Sequence, residues 1–477
     1  NLQGYAGTAS PITFNGLVGQ EMPLAFFVKS QPVDMRDQPI DVAVSGRGAL
    51  FDPTGNWQKT RAGVTTLGLG FKPTADWGLF AYLNDMRVRA QGNNQVDRFG
   101  IAPEPSTLDY DSRQVALGAS LRHSPVAQTW VKLGHSDLGY SLGSYPAIFS
   151  GFGLTIPGGI DATPLKRFSD LQLRHTADWS DSTRLALTLE HVRERQHNSV
   201  LSIGQLSVGA YRDVMAIGGV NDIERRFSAL TLSAWHRATP ALRLHGALAA
   251  SELRSDVNGW LAAALVGANL SEREEARRQD RQRALSPRVG MVYQGASGLT
   301  WRAAYADWVR PPSVGSLAPV DVAGVPLESR FVEAGGRLKQ TALHVQWSPD
   351  ERNFFHARVM ELRLRNPGTL GVDLRTPSLP LLEELRNAQL VNLSAVDLLE
   401  ADPGALDGRV RGLGLGAARL LGSRGSVYAK YFYHQFSGDY IDENRQTVGV
   451  AWMPWLPRHI LALGGTWASP ARLYFSG

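Results

Sequence analysis

Leu171-Gln-Leu-Arg-His-Thr-Ala-Asp-Trp179 is the stretch whose reading decides the fold. Leu171, Leu173, Ala177 and Trp179 take alternate positions, with Gln172, Arg174, Thr176 and Asp178 between them. Successive side chains of a strand point to opposite faces, so the stretch predicts a strand with one oily and one wet side. Just beyond it, Arg184-Leu-Ala-Leu-Thr-Leu-Glu190 sets Leu185, Leu187 and Leu189 against Arg184, Thr188 and Glu190. Ser180, Asp181 and Ser182 between the two supply turn chemistry, so the pair reads as a hairpin.

The same alternation recurs along the chain. Val115, Leu117, Ala119 and Leu121 share a parity, as do Leu230 and Leu232, Leu343, Val345 and Trp347, and Val448, Val450 and Trp452. Short turns fall at 72–76, 123–126, 178–182, 237–240, 295–298, 348–351, 422–425 and 454–457, all rich in Pro, Gly, Asp and Ser. Longer connections at 92–110, 142–166, 197–222, 256–283, 312–337 and 366–407 separate the hairpins. Tight turns at one end and long loops at the other are the plan of an outer-membrane barrel. The expected fold is an all-β transmembrane antiparallel β-barrel of about 18 strands (16–20, an even number), with short periplasmic turns and long extracellular loops. It is expected to form one domain over residues 1–477. A further hairpin is read at 12–30, and Arg472-Leu-Tyr-Phe475 reads as the start of another strand.

Composition narrows the classes. The 477 residues contain no cysteine, which excludes disulfide scaffolds, thiolate metal sites and a cysteine nucleophile. Lys and Arg number 49 against 44 Asp and Glu, a balance too mild for a nucleic-acid binder. The longest apolar run, Gly259 to Leu270, stops at Glu272, well short of the roughly 20 residues a membrane helix needs. Trp77, Trp130, Trp179, Trp301, Trp347, Trp452 and Trp455 sit at or near the short turns. Indoles settle at the headgroup level, so this cluster is read as the periplasmic interface girdle.

A more specific stretch begins with Leu285-Ser-Pro-Arg-Val-Gly-Met-Val-Tyr293 and Leu299-Thr-Trp-Arg-Ala-Ala-Tyr305. It continues with Trp308-Val-Arg-Pro-Pro-Ser313 and Glu328-Ser-Arg-Phe-Val-Glu-Ala-Gly335. Over Ser286 to Gly335 the chain resembles the barrel half of TonB-dependent receptors. Receptors of that family carry an N-terminal plug of well over a hundred residues, whereas strand-like sequence here starts almost at Asn1. Lys72-Pro-Thr-Ala-Asp-Trp-Gly-Leu-Phe80 and the helix-like 381–400 segment are also similar to outer-membrane barrels that follow tetratricopeptide repeats. The resemblance implies the outer membrane of a Gram-negative bacterium. It also implies the lipid bilayer and lipopolysaccharide as surroundings, with periplasmic or surface proteins or an N-terminal repeat domain as further partners.

Alternation places Arg122, Lys132, Arg174, Arg184, Arg243, Arg302, Arg358 and Arg411 as pore-lining candidates, with Asp178 and Glu190 as counter-charges. Such cations favour anions in a narrow pore. The 368–407 loop carries Leu381, Leu385 and Leu398 at helical spacing and is expected to fold into or over the pore as a constriction. The charge run Ser271 to Arg283 is read as a solvated outer-loop helix. No Gly-x-Ser-x-Gly, His-Glu-x-x-His or phosphate-loop motif occurs. His245 and Ser251 share a face, but no enzyme, metal or cofactor is expected. Three functions are weighed, and the first is favoured. The first is an outer-membrane channel for a solute or exported polymer. The second is a TonB-dependent receptor barrel separated from its plug. The third is a structural barrel presenting its loops to partners.

Overall fold

The structure, a computed structural model, describes residues 58–71, 73–93, 105–142, 165–208, 211–312, 337–366, 405–441 and 458–468 almost continuously. Shorter pieces lie at 33–34, 149–151, 154–156, 158–162, 321–328, 332, 335–336, 447–450 and 474–476. Among these residues there is no helix. Nineteen strands form one antiparallel sheet. Each long strand pairs with the next in sequence, from Gln58–Phe71 through Thr183–Val208 and Leu270–Gln294 to His459–Ala468. Val33–Asp34 lies on the first long strand and Tyr474–Ser476 on the last. Among the described residues no pairing joins these two edges. The hairpin read at 12–30 and the leucine-rich 379–400 segment lie outside the described residues.

The two faces are reversed relative to a water-soluble sheet. On Thr183–Val208 the even positions Thr188, Glu190, Glu194 and Gln196 are buried, while Leu187 and Leu189 are exposed. The register carries this across the wall: Leu187 lies opposite Leu232, Leu189 opposite Leu230, and Thr188 opposite Thr231. Leu117, Leu133, Leu171, Leu248 and Leu463 continue the exposed apolar band. Only a lipid surround makes an outer face of leucines favourable, and only paired strands satisfy the backbone there. The chain is a membrane β-barrel with a polar inner wall.

One rim is built from the short turns. The strand beside each turn donates a backbone N–H to it: Arg122 to the Asp76 carbonyl at 2.8 Å, Asp178 to Val126 at 2.8 Å, and Ala468 to Arg424 at 2.7 Å. Asp350 fixes its own turn, its Oδ1 accepting from the Arg352 and Asn353 amides, each at 2.8 Å. Gly298, at φ +73°, passes so close to the Ser348 carbonyl that a Cβ would fall 2.1 Å from it. Trp77, Trp179, Trp301 and Trp347 all stand exposed near this rim. Trp347 stacks on Phe355 with ring centroids 5.3 Å apart. Trp467 joins them, although its place was not expected. Trp130 departs from the expected girdle: it shares the inward parity of Ser136 and Leu138. Trp452 and Trp455 lie outside the described residues.

At the opposite end two expectations need correction. Residues 197–222 and 256–283 are not loops. Thr183–Val208 and Tyr211–Arg237 are strands of 26 and 27 residues, and Leu242–Leu265 turns through Val266–Asn269 into Leu270–Gln294. The charge run Ser271 to Arg283 is therefore extended, its residues opposite 252–264 in unbroken register. Backbone pairing continues beyond the lipid, where neither face needs to be apolar, so periodicity fades while the strand goes on.

Just above the leucine band, the outward face carries three glutamates, each held by three arginines. Glu224 meets Arg193 and Arg226 at 2.8 Å and Arg195 at 3.8 Å. Glu252 meets Arg254 at 2.6 Å, Arg281 at 2.7 Å and Arg283 at 2.8 Å. Glu361 meets Arg409, Arg363 at 3.1 Å and Arg411 at 3.4 Å. Hydrogen bonds from Arg281, Arg283 and Arg254 hold the Glu252 carboxyl down to about 2. Those from Arg409, Arg363 and Arg411 do the same for Glu361, also to about 2.

Two outcomes follow from this wall. Leu232→Arg puts a charge in the band and should cost about 2–4 kcal/mol of folding stability near the bilayer midplane, read from urea unfolding in lipid vesicles. Thr231→Ser on the inner face should cost little. A carboxylate with a depressed pKa stabilises the fold fully above its unfolded value and loses that contribution as pH falls through the folded one. Thermal stability in detergent should therefore drop between about pH 4.5 and about pH 2. The Glu252→Gln, Glu361→Gln double variant should be less stable at neutral pH and show a shallower drop.

Candidate functional site: the lumen and its inward hairpin

The strand Leu299–Val309 ends at Arg310-Pro-Pro312. Proline has no backbone N–H and cannot continue a ladder, so the chain leaves the wall here. A narrow neck closes behind it: the Arg310 amide donates to the Gly336 carbonyl at 2.9 Å, and the Gly335 amide to the Arg310 carbonyl at 2.8 Å. Inside lies a small hairpin of Asp321–Val322 and Val325–Pro326, turned by Ala323 and Gly324 at φ +54° and +76°. The Asp321 carboxylate accepts from the Gly324 amide at 2.9 Å and fixes the turn.

Val322 and Val325 are almost completely buried. They pack with Ala304, Ala306, Leu338, Ala342 and Leu362 of the inner wall in an apolar cluster. Polar anchors surround it. The Ala323 amide donates to His245 Nδ1 at 3.1 Å, which puts the proton of a neutral ring on Nε2. The Gln340 amide group donates to the Pro326 carbonyl at 2.8 Å and accepts from the Glu328 amide at 2.9 Å. Glu328 pairs with Arg358 at 2.9 Å. Gly290 makes the close approach possible: a Cβ there would meet Ala323 and Val322 atoms at 2.8 Å. Gly324 reaches Arg302, which lies seven residues down the strand from the Val309 neck. At ~3.3 Å per residue that is roughly 20 Å along the tilted strand.

Around the hairpin the inner wall is polar and charged. Trp235 stacks on His245, centroids 4.9 Å apart and planes 9° from parallel. The Arg174 guanidinium lies 5.9 Å from the Trp235 ring centroid. Asp321 acts electrostatically on Arg174, His245 and Arg288. Higher up, Arg225 and Glu194 form an ion pair at 3.0 Å with almost no exposure.

The pore-lining candidates divide. Arg122, Lys132, Arg174, Arg184, Arg243, Arg302 and Arg358 share the parity of the buried inner residues. They do not form a bare cationic ring. Lys132 meets Asp170 at 3.3 Å, Arg184 meets Asp178 at 2.5 Å, and Arg302 bonds Gln346. Arg411 is on the other side: it shares the parity of Leu415 and joins the outward Glu361 cluster. Leu381, Leu385 and Leu398 lie outside the described residues. His245 and Ser251 share a face but stand six residues apart, about 20 Å along the strand, too far to cooperate. The described inward segment is 321–328, within a stretch first read as a plain loop. The two signals that could have revealed it are the strand-ending Pro311-Pro312 and the Ala-Gly turn set between Val322 and Val325.

The family profile described as "TonB dependent receptor-like, beta-barrel" matches residues 50–476. The chain belongs to the TonB-dependent receptor family. Barrels of this family are outer-membrane proteins of Gram-negative bacteria. Its fold is similar to that of the ferric yersiniabactin uptake receptor FyuA from Yersinia pestis, with TM-score 0.54 and 10% identity, covering 92% of this chain and 59% of that one. It is similar to the siderophore receptor PiuA from Acinetobacter baumannii, with TM-score 0.56 and 10% identity, covering 89% of this chain and 64% of that one. The copper transporter OprC gives TM-score 0.53 and 12% identity, covering 86% and 57%. The chain thus spans about three fifths of the length of these solved receptors. No curated protein matches it in sequence.

The hairpin's seating can be tested with a thiol probe, because the chain has no cysteine. Val322→Cys should label slowly with a maleimide in the folded protein, since Val322 is fully buried against Gly290. Adding Gly290→Leu, whose side chain occupies the hairpin's place, should raise the labelling rate about tenfold or more, as expected when a buried contact is forced open. Equal rates in both variants would show that the hairpin does not rest on Gly290.

Proposed function

We propose that this chain is the barrel of an outer-membrane receptor that takes up a scarce ligand with energy supplied from the inner membrane. The family match over residues 50–476 carries this reading. The solved structures of similar fold include a ferric yersiniabactin uptake receptor, a siderophore receptor and a copper transporter, which supports a metal chelate or metal ion as the ligand class. The inward hairpin supports gated uptake over a standing channel, since Val322, Val325 and Glu328 are anchored to the wall across the path. The lumen around it offers paired cations and anions, which suit a ligand carrying several polar groups more than a bare ion stream.

Uptake by cells expressing the complete gene product tests this. Radiolabelled ferric chelates and copper should accumulate only in energised cells, and a protonophore should abolish accumulation. The purified protein in planar bilayers should conduct weakly. Accumulation insensitive to the protonophore, together with a large steady conductance, would favour a passive channel.

A further inference from the structure

Arg302, His344 and Arg358 form one row across the inner wall. Arg302 lies opposite His344, and His344 opposite Arg358, on the adjoining strands Leu299–Val309, Arg337–Trp347 and Asn353–Arg365. With neighbouring strands ~4.8 Å apart, their Cα atoms span roughly 10 Å. All three share the parity of the buried Ala304, Ala342 and Met360, so their side chains start from the inner face. His356 stands one row nearer the short turns, its ring edge-on to His344 with centroids 6.2 Å apart. Arg302 and Arg358 act electrostatically on His344, and Lys430 does so on His356. Beyond Arg358 the row ends on Gly414, which offers only backbone.

The inward hairpin lies along this row. A Cβ on Gly324 would fall 3.4 Å from Arg302 Nε, and Glu328, four residues further on, meets Arg358 Nη1 at 2.9 Å. Among the described residues Glu328 is the one carboxylate ion-paired to the row. It engages a single nitrogen. Nε and Nη2 of Arg358, the edge that takes a carboxylate through two parallel hydrogen bonds, are buried and have no hydrogen-bond partner. Arg302 donates to the neutral Gln346 side chain. A buried guanidinium donor without an acceptor is costly, so the row favours more negative charge than one glutamate brings.

We infer that this row is a binding site for a polycarboxylate, and that Glu328 occupies it as an internal substitute until such a ligand arrives. One ligand carboxylate bonds Nε and Nη2 of Arg358, a second meets Arg302 and His344, and the Glu328 side chain is displaced, which loosens the hairpin. The internal occupant sets the chemistry: a wall that seats a glutamate suits the same group on a small molecule, and two arginines call for at least two such groups. The inference rests on the uptake reading for its purpose, since it names the class of ligand that the hairpin gates, while the site itself is defined by the wall.

Titration calorimetry of the full-length protein in detergent and metal-free buffer tests the inference, with citrate as the probe and trimethyl citrate as its uncharged control. The wild type should bind citrate and not the ester. Glu328→Gln removes the internal competitor and should bind citrate about tenfold more tightly. Arg302→Gln and Arg358→Gln should each weaken binding about tenfold or more. Arg122→Gln, on the strand Pro105–Ser124, which pairs with none of the three strands of the row, should bind like the wild type. In the Val322→Cys background, saturating citrate should speed maleimide labelling, since a displaced Glu328 frees the hairpin. Heat-modifiable gel migration confirms that each variant is folded. Citrate affinity unchanged or lowered in Glu328→Gln, undiminished in folded Arg358→Gln, or matched by the ester would overturn the inference, as would labelling that does not respond to citrate. Loss of energised uptake with citrate binding intact would bear on the receptor reading alone.

Discussion

The barrel depends on one constraint: in hydrocarbon, every backbone N–H and C=O must find a partner within the protein. An antiparallel ladder meets that demand, and once it does, side-chain parity becomes the remaining variable. Leu187 and Leu232 face lipid because Thr188 and Thr231 face inward, and the register that pairs them leaves no intermediate choice. The polar inner wall is thus the other half of the oily outer one. Function inherits this directly, because each inward position is a place to put chemistry without disturbing the membrane fit.

The inward hairpin shows how the chain departs from that regularity. Pro311 and Pro312 stop the ladder, and the segment that follows finds its partners inside. His245, Gln340 and Arg358 replace the missing backbone pairing, and Val322 and Val325 supply apolar contact with the inner wall. Such a segment is held by side-chain contacts with the wall rather than by a backbone ladder. Gly290 shows the dependence in reverse, since the wall is thinned to a bare backbone where the hairpin rests on it.

Much of this was legible in the sequence where one face was uniformly apolar. Leu171, Leu187 and Leu343 announced the wall, and the Pro, Gly and Asp clusters announced the short turns. Legibility ended where the lipid ends. Beyond Gln196 or Asp256 apolar residues fall on both faces, as at Val200 and Leu201 or at Leu261 to Leu265, so period two carries no contrast, and strands of 26 or 24 residues looked like loops. Arg411 is a different case. Leu413 and Leu415 share its parity and already placed it outside, so the information was present in its neighbours. The partners of Arg358 and His245 could not be read at all, because Glu328 and Ala323 meet them only through the hairpin's fold into the lumen.

Among the described residues, the two tallest hairpins are Thr183–Val208 with Tyr211–Arg237 and Leu242–Leu265 with Leu270–Gln294. A 26-residue strand tilted by about 45° rises roughly 60 Å, while the apolar band needs only ~25 Å of that. On this side of the mouth a stiff mast of paired strands stands some tens of ångströms clear of the bilayer. Its crest at Val266–Asn269 is lashed to the adjoining strand by Asp213, whose carboxylate accepts from the Gly267 and Ala268 amides. Any antibody, phage fibre or neighbouring cell that reaches that crest meets it well above the bilayer surface.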